Sequence, residues 1–163
     1  MKLPALICAL FCLFVAPQLV SAQAHYLADM QQIGIMIDDL DTEEKNMGLT
    51  RESLTDVVLL ALKRDVPKLT INEDSMVANN DIYVRITSSM VDQHNVVSFV
   101  EVSILRPAVI AGDSGAKVLT PSATVWSRGK LLGSPLSSMR SHIRDYLNQA
   151  VSEFAAQYNK DNP

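Results

Sequence analysis

Residues 81–105 read DIYVRITSSMVDQHNVVSFVEVSIL, and this stretch decides the fold. Ile82, Val84 and Ile86 alternate with Tyr83, Arg85 and Thr87. Apolar side chains at every second position mark a strand with one buried and one wet side. Asp92-Gln93-His94-Asn95 supplies turn chemistry. The alternation resumes at Val96, Val100, Val102 and Ile104, broken only by Ser98, with Phe99, Glu101 and Ser103 in the opposite phase. Two such runs joined by a short polar turn predict a hairpin within a sheet.

Working outward, Ile33, Ile35 and Ile37 alternate with Gly34, Met36 and Asp38, which predicts a strand. The acidic run Asp38, Asp39, Asp41, Glu43 and Glu44 reads as a solvated loop. Thr50 is suited to cap a helix, with Leu49 and Leu54 placed to staple its first turn. Leu54, Val57, Val58, Ala61 and Leu62 follow helical spacing, and Pro67 lies beyond the end. Leu59 and Leu60 widen the apolar arc, so this helix is expected to need cover on more than one side, with those two leucines facing a partner. Leu69 and Ile71 suggest a short strand, Ala111–Gly115 a loop, and Ala123–Arg128 a last strand holding Trp126. Ser134 as N-cap and Pro135 at the first helical position open a closing helix, along which Met139, Ile143, Tyr146, Leu147, Ala150, Val151, Phe154 and Tyr158 recur. The expected class is α+β: a small antiparallel or mixed sheet of about five strands, with two helices on one face, in β-α-β-β-β-α order.

The first residues carry a different message. Lys2 precedes an apolar run that ends at Pro17, and Ser21, Ala22 and Ala24 follow. A cation, a short apolar core and a small-residue exit form the pattern of a secretory signal. Val20-Ser21-Ala22 predicts cleavage after residue 22, and Ala22-Gln23-Ala24 would place it after residue 24. The run is shorter than the ~20 apolar residues of a spanning helix, so no membrane anchor is expected after cleavage. Residues 23–163 then form a single domain, long enough to bury a core without metal or disulfide.

Both cysteines, Cys8 and Cys12, lie inside the signal, and the chain has no Asn-x-Ser/Thr acceptor. Together these point to a bacterial periplasm, or another secreted location, over a eukaryotic secretory route. The formal net charge is −4, and −5 without Lys2, a poor balance for non-specific nucleic-acid binding.

Chemical motifs are sparse. Gly112-Asp113-Ser114-Gly115 is similar to the segment around the nucleophile of chymotrypsin-like proteases, but Ala116 stands where that family has Gly, and the chain is too short for two β-barrels. The same residues make an ordinary turn. Asp39, Asp41 and Glu43 have calcium-loop spacing, yet Glu44 and Thr50 occupy the positions that require Gly and a bidentate acid. His25, His94 and His142 have no companion at ligand spacing, so no metal or cofactor is expected. Trp126, Phe154, Tyr158 and the terminal Asn162-Pro163 give the last quarter a loose resemblance to small exported bacterial proteins, which implies no activity and no site residues.

The better candidate is a surface. Tyr83 and Arg85, joined by Phe99 and Glu101, would line the wet side of the sheet, and Trp126 and Arg128 share one phase whose side the sequence leaves open. Three functions rank in order on this reading. First comes a non-enzymatic exported domain acting through protein contacts with a partner or a second copy, in envelope assembly or as an accessory subunit. A small-ligand carrier or sensor with a pocket near Tyr83, Phe99 or Trp126 comes second. An enzyme gathering His94, Asp113 and Ser114 is a distant third.

Overall fold

The structure, a computed structural model, describes residues 26–72, 80–111 and 117–163, with side chains placed for all of these except 108–111 and 117–121. The expected signal, both cleavage positions, His25 and the Gly112–Gly115 segment lie outside the described residues. The elements are β1 (Gln32–Ile37), α1 (Thr42–Asn46), α2 (Arg51–Asp65), β2 (Thr70–Asn72), β3 (Asp81–Met90), β4 (Asn95–Ala111), β5 (Lys117–Pro135) and α3 (Leu136–Asp161). The class is α+β, as the sequence indicates. The expected order β-α-β-β-β-α is one strand short and omits α1.

The sheet is mixed, in the order β2-β1-β3-β4-β5. β1 runs parallel to β2 on one side and to β3 on the other, and β3–β4 and β4–β5 are antiparallel. Register on the central hairpin is fixed by the apolar phase: Ile82 faces Ile104, Val84 faces Val102, Ile86 faces Val100 and Met90 faces Val96. The one polar break in that phase, Ser98, sits opposite Ser88, and their hydroxyls share a 2.8 Å hydrogen bond. The buried face therefore carries no orphaned hydroxyl there.

Both long helices pack on that one face. In α2, Thr50 Oγ1 accepts from Ser53 N–H and Ser53 Oγ accepts from Thr50 N–H, both at 3.1 Å, a reciprocal cap of the first turn. Leu49 and Leu54 on either side of that cap are buried. In α3 the start differs from expectation: Pro135 is the N-cap with no side-chain bond, and Ser134 is still in β5. The helix is held instead by its apolar stripe, whose Phe154 is fully buried and meets Trp126 edge-on at 5.8 Å. Burial of such a ring is worth about 3–5 kcal/mol relative to alanine.

The first described stretch and the last residues fasten each other. Leu27 and Met30 are buried, Tyr158 donates its hydroxyl to Met30 O at 2.9 Å, and Asn162 donates to Leu27 O while accepting from Asp29 N–H. A second fastening joins α2 to α3: Arg64 holds both oxygens of Asp65, and Ser152 Oγ donates to Asp65 Oδ2 at 2.7 Å. These donors hold the Asp65 carboxyl down at about 2.

The acidic run contains a correction. Glu44 is not solvated: it lies on α1, its side chain is fully buried, and neither carboxylate oxygen has a hydrogen-bond partner among the described residues. The turn around it closes through Leu49 N–H to Glu44 O, and Gly48 at φ +73° allows the reversal. An unpartnered buried carboxylate opposes folding. Glu44→Leu is therefore expected to raise stability by about 1–3 kcal/mol, read as a higher urea midpoint with unchanged slope. A lower midpoint would mean that the carboxylate is held by a group this arrangement does not contain.

Asp65 gives a pH test. Its folded-state pKa is depressed, so its contribution is complete above the unfolded value near 4 and is lost as pH falls towards 2. Asp65→Asn is expected to lower the urea midpoint at pH 7 and to converge with the wild type by about pH 2. A midpoint difference that persists unchanged at pH 2 would contradict this.

Candidate functional site: the open sheet face

The phase of β3 and β4 that does not meet the helices forms a face that no described element covers. Its rows are set by register. Met36, Tyr83, Ser103 and Ser127 form one row; Arg85, Glu101 and Gly129 the next; Thr87, Phe99 and Leu131 the third. Arg85 Nη2 reaches Glu101 Oε2 at 2.6 Å directly across the strands, and Ser103 Oγ donates to Glu101 Oε1. The Phe99 ring lies over Gly129, where an added Cβ would come within 2.8 Å of it. A side chain at residue 129 would lift the ring off the sheet. Phe99 remains 39% exposed and Leu131 opposite it 68% exposed. Ile82, Val84, Ile86, Val96, Val100, Val102 and Ile104 of the other phase are buried, and only Met90, at the hairpin end of β3, is exposed among the described apolar side chains of that phase on β3 and β4.

Of the six residues expected to form a contact surface, Tyr83, Arg85, Phe99 and Glu101 share this face. Trp126 and Arg128 lie on the helix side: Trp126 packs on Phe154, and Arg128 stands 5.6 Å over the indole with its Nε 3.0 Å from Glu153 Oε2. Leu131, beyond the expected end of the last strand at Arg128, takes their place on the open face. The helix leucines also separate. Leu59 is half-buried against the core, and Leu60 stays exposed. The rest of the α2 arc is closed by the protein's own sheet and α3, so the helix does not present the broad apolar face expected of it.

One end of the open face runs into a cleft of about 420 Å3 at the C-terminal end of β1, lined by Ile35, Met36, Ile37, Asp38, Arg51, Thr55 and Tyr83. β1 is flanked by parallel strands on both sides, and such crevices beyond strand ends are where open sheets place ligands. Tyr83 donates to Asp38 Oδ2 at 2.5 Å, and Arg51 pairs with Asp39 while its Nε donates to Asp38 O. The hydrogen bond from Tyr83 lowers the Asp38 carboxyl; burial and the Asp38 carboxylate push the Tyr83 phenol up to about 12.

Among the described residues the other motifs do not assemble, and Asp113 and Ser114 lie outside them. Asp39 is bound to Arg51, and among the described residues no three His, Cys, Asp or Glu side chains gather to hold a metal ion. His94 sits in the β3–β4 turn, and the length of β4 sets it on the order of 50 Å from Ala111 at the far end of that strand. Among the described residues no helix is long and apolar enough to cross a membrane.

The Asp38–Tyr83 bond should be visible thermodynamically. Tyr83→Phe removes the donor, and hydrogen bonds to charged groups contribute about 1.5–3 kcal/mol, less at this half-exposed site. Because the Asp38 pKa is depressed in the folded state, its contribution holds above pH 4 and fades as pH falls below it. The variant is expected to unfold at lower urea than wild type at pH 7, with the gap closing in acid. An equal gap at both pH values would contradict the pairing.

No protein-family model matches the chain, and no curated protein matches it in sequence. Among solved structures, the 2.35 Å crystal structure of a minor lipoprotein from Acinetobacter baumannii overlaps 82% of this chain and 90% of that one, at 12% identity and a TM-score of 0.30. At that score the likeness carries no statement about fold or function.

Proposed function

We propose that this protein is exported to the bacterial envelope and works there by binding another protein through the open face of its sheet. Export rests on the three-part signal at residues 1–22 and on the confinement of both cysteines to it. The observation that carries the binding role is the Phe99–Leu131 pair. It is an exposed apolar pair on a face that no described element covers, beside an Arg85–Glu101 ion pair that could fix orientation. Apolar anchors rimmed by charge are the usual anatomy of a protein interface.

A second reading is favoured by one feature. The cleft at the end of β1 has Tyr83 in its lining, as a small-ligand carrier would require, although Phe99 and Trp126 are not among its lining residues.

The test places a photoreactive side chain at Thr87, next to Phe99, in the full-length chain expressed in a Gram-negative host. The expected result is a protein adduct that Leu131→Ser abolishes while changing stability by no more than ~0.5 kcal/mol. Adducts arising only from a photoreactive side chain at Leu60 would move the interface to α2. No protein adduct, with a small bound molecule in native mass spectra that Tyr83→Phe removes, would replace this reading with the carrier.

A further inference from the structure

We propose that the outer edge of β5 receives an extended segment of that protein partner as an added strand, and that the segment alternates acidic and apolar residues. This rests on the protein-binding reading above and specifies how the partner is held.

The two edges of the sheet are unequal. β2 ends one side with three residues, whereas β5 ends the other with nineteen. Native proteins keep exposed edges short or covered, because an open edge is a template for another strand. Between Ala123 and Ser134 there is no proline, so every residue keeps its N–H. β4 takes the hydrogen bonds on one side only, which leaves every second residue's N–H and C=O directed away from the sheet. Among the described residues no strand or loop pairs with that side.

Charge decides which strand fits. Arg128 and Lys130 stand in one phase of β5 on the helix side, and both are exposed. Arg128 has a solvent-exposed ion pair with Glu153, a weak commitment. The Lys130 ammonium stands 5.8 Å over the Tyr146 ring, and no carboxylate among the described residues pairs with it. A second copy centred on the two cations is a poor occupant. An antiparallel pairing about Gly129 sets Arg128 against Lys130, and pairings about residue 128 or 130 set each cation against itself; like charges directly opposite destabilise a sheet. An acidic strand turns the same two cations into cross-strand ion pairs.

The other phase completes the pattern. Residues of an added strand that alternate with its acids would lie on the open face beside Leu131 and extend the Phe99–Leu131 row. Gly133 follows Leu131 in that phase with only Val97 near its missing side chain, at 4.0 Å, which leaves room for a larger one alongside, while the space over Gly129 is taken by the Phe99 ring. The arrangement thus reads acid towards α3 and apolar towards the open face, which is recognition by strand addition with alternate side chains supplying specificity.

The experiment titrates 15N-labelled residues 23–163 with a capped peptide, Thr-Glu-Val-Glu-Val-Glu-Thr, and with the same peptide carrying Lys for each Glu. The expected result is amide shifts and slowed exchange confined to Ala123–Ser134, with at least about tenfold weaker binding of the Lys peptide. Lys130→Glu, an exposed reversal checked by an unchanged melting curve, should narrow or invert that preference, and added salt should weaken the acidic peptide. Equal binding of both peptides, shifts confined to other elements, or a homodimer that already protects the β5 edge would overturn the proposal. If the peptide leaves β5 untouched while the Thr87 adduct still forms, strand addition fails and the binding face stands. If both are absent, both fail.

Discussion

The structure depends on one register. β3 and β4 are aligned so that Ile82, Val84 and Ile86 stand beside Ile104, Val102 and Val100 on a single face. A strand's side chains alternate with a period of two, so a slip of one residue would turn this entire set to water and bring Arg85, Glu101 and Phe99 under the helices. Burial of the branched side chains sets the large energy in favour of one register, and the Arg85–Glu101 and Ser88–Ser98 cross-strand pairs agree with it. Local and global preferences reinforce each other here, as a well-specified fold requires.

From that register the rest follows. The buried phase attracts α2 and α3, and Phe154 meets Trp126 where α3 crosses the end strand. With the helices on one side and the sheet only one layer thick, no element among the described residues packs against the other phase. The exposed Phe99 and Leu131 are the consequence. Phe99 reduces its own exposure by lying over Gly129. Leu131 has no such recourse. The same one-sidedness makes β5 the long edge of the sheet among the described residues, because α3 leaves directly from its end to cover the inner face. Fastenings at the perimeter hold this arrangement: Asn162 on the N-terminal stretch, and Asp65 between the two long helices.

The fold class, the capped helix at Thr50 and the central hairpin were legible because each rests on local periodicity or local capping chemistry. What was not legible has identifiable causes. The sequence left open the side that Trp126 faces because the pairing slips between Ile104 and Leu105, so that Trp126 pairs with Ile104 while Thr124 pairs with Leu105. Val125 is the extra residue, and both Val125 and Trp126 pack on the core, which breaks the alternation. The expected strand Ala123–Arg128 stops short of Pro135 because Gly129 and Gly133 weaken a strand pattern; at a sheet edge Gly can serve to admit a neighbour's ring and Lys to guard the edge. A run of acids usually lies in solvent, and only tertiary packing of α1 turns Glu44 inward. On the candidate surface, four residues were assigned together from phase alone, and Leu131 was lost with the strand that carries it.

The most direct test of the two-sided sheet is cysteine accessibility in residues 23–163, a segment with no native thiol. Single cysteines at Thr87, Phe99 and Leu131 sample the open face, and single cysteines at Val100, Val102 and Ile104 sample the covered one. Pulsed thiol labelling under native conditions should modify the first set at rates close to those of unfolded chain, and the second set only through opening, slower by several orders of magnitude. Comparable rates on the two faces, or protection at Leu131 in a protein shown to be monomeric, would contradict a sheet covered on one side only.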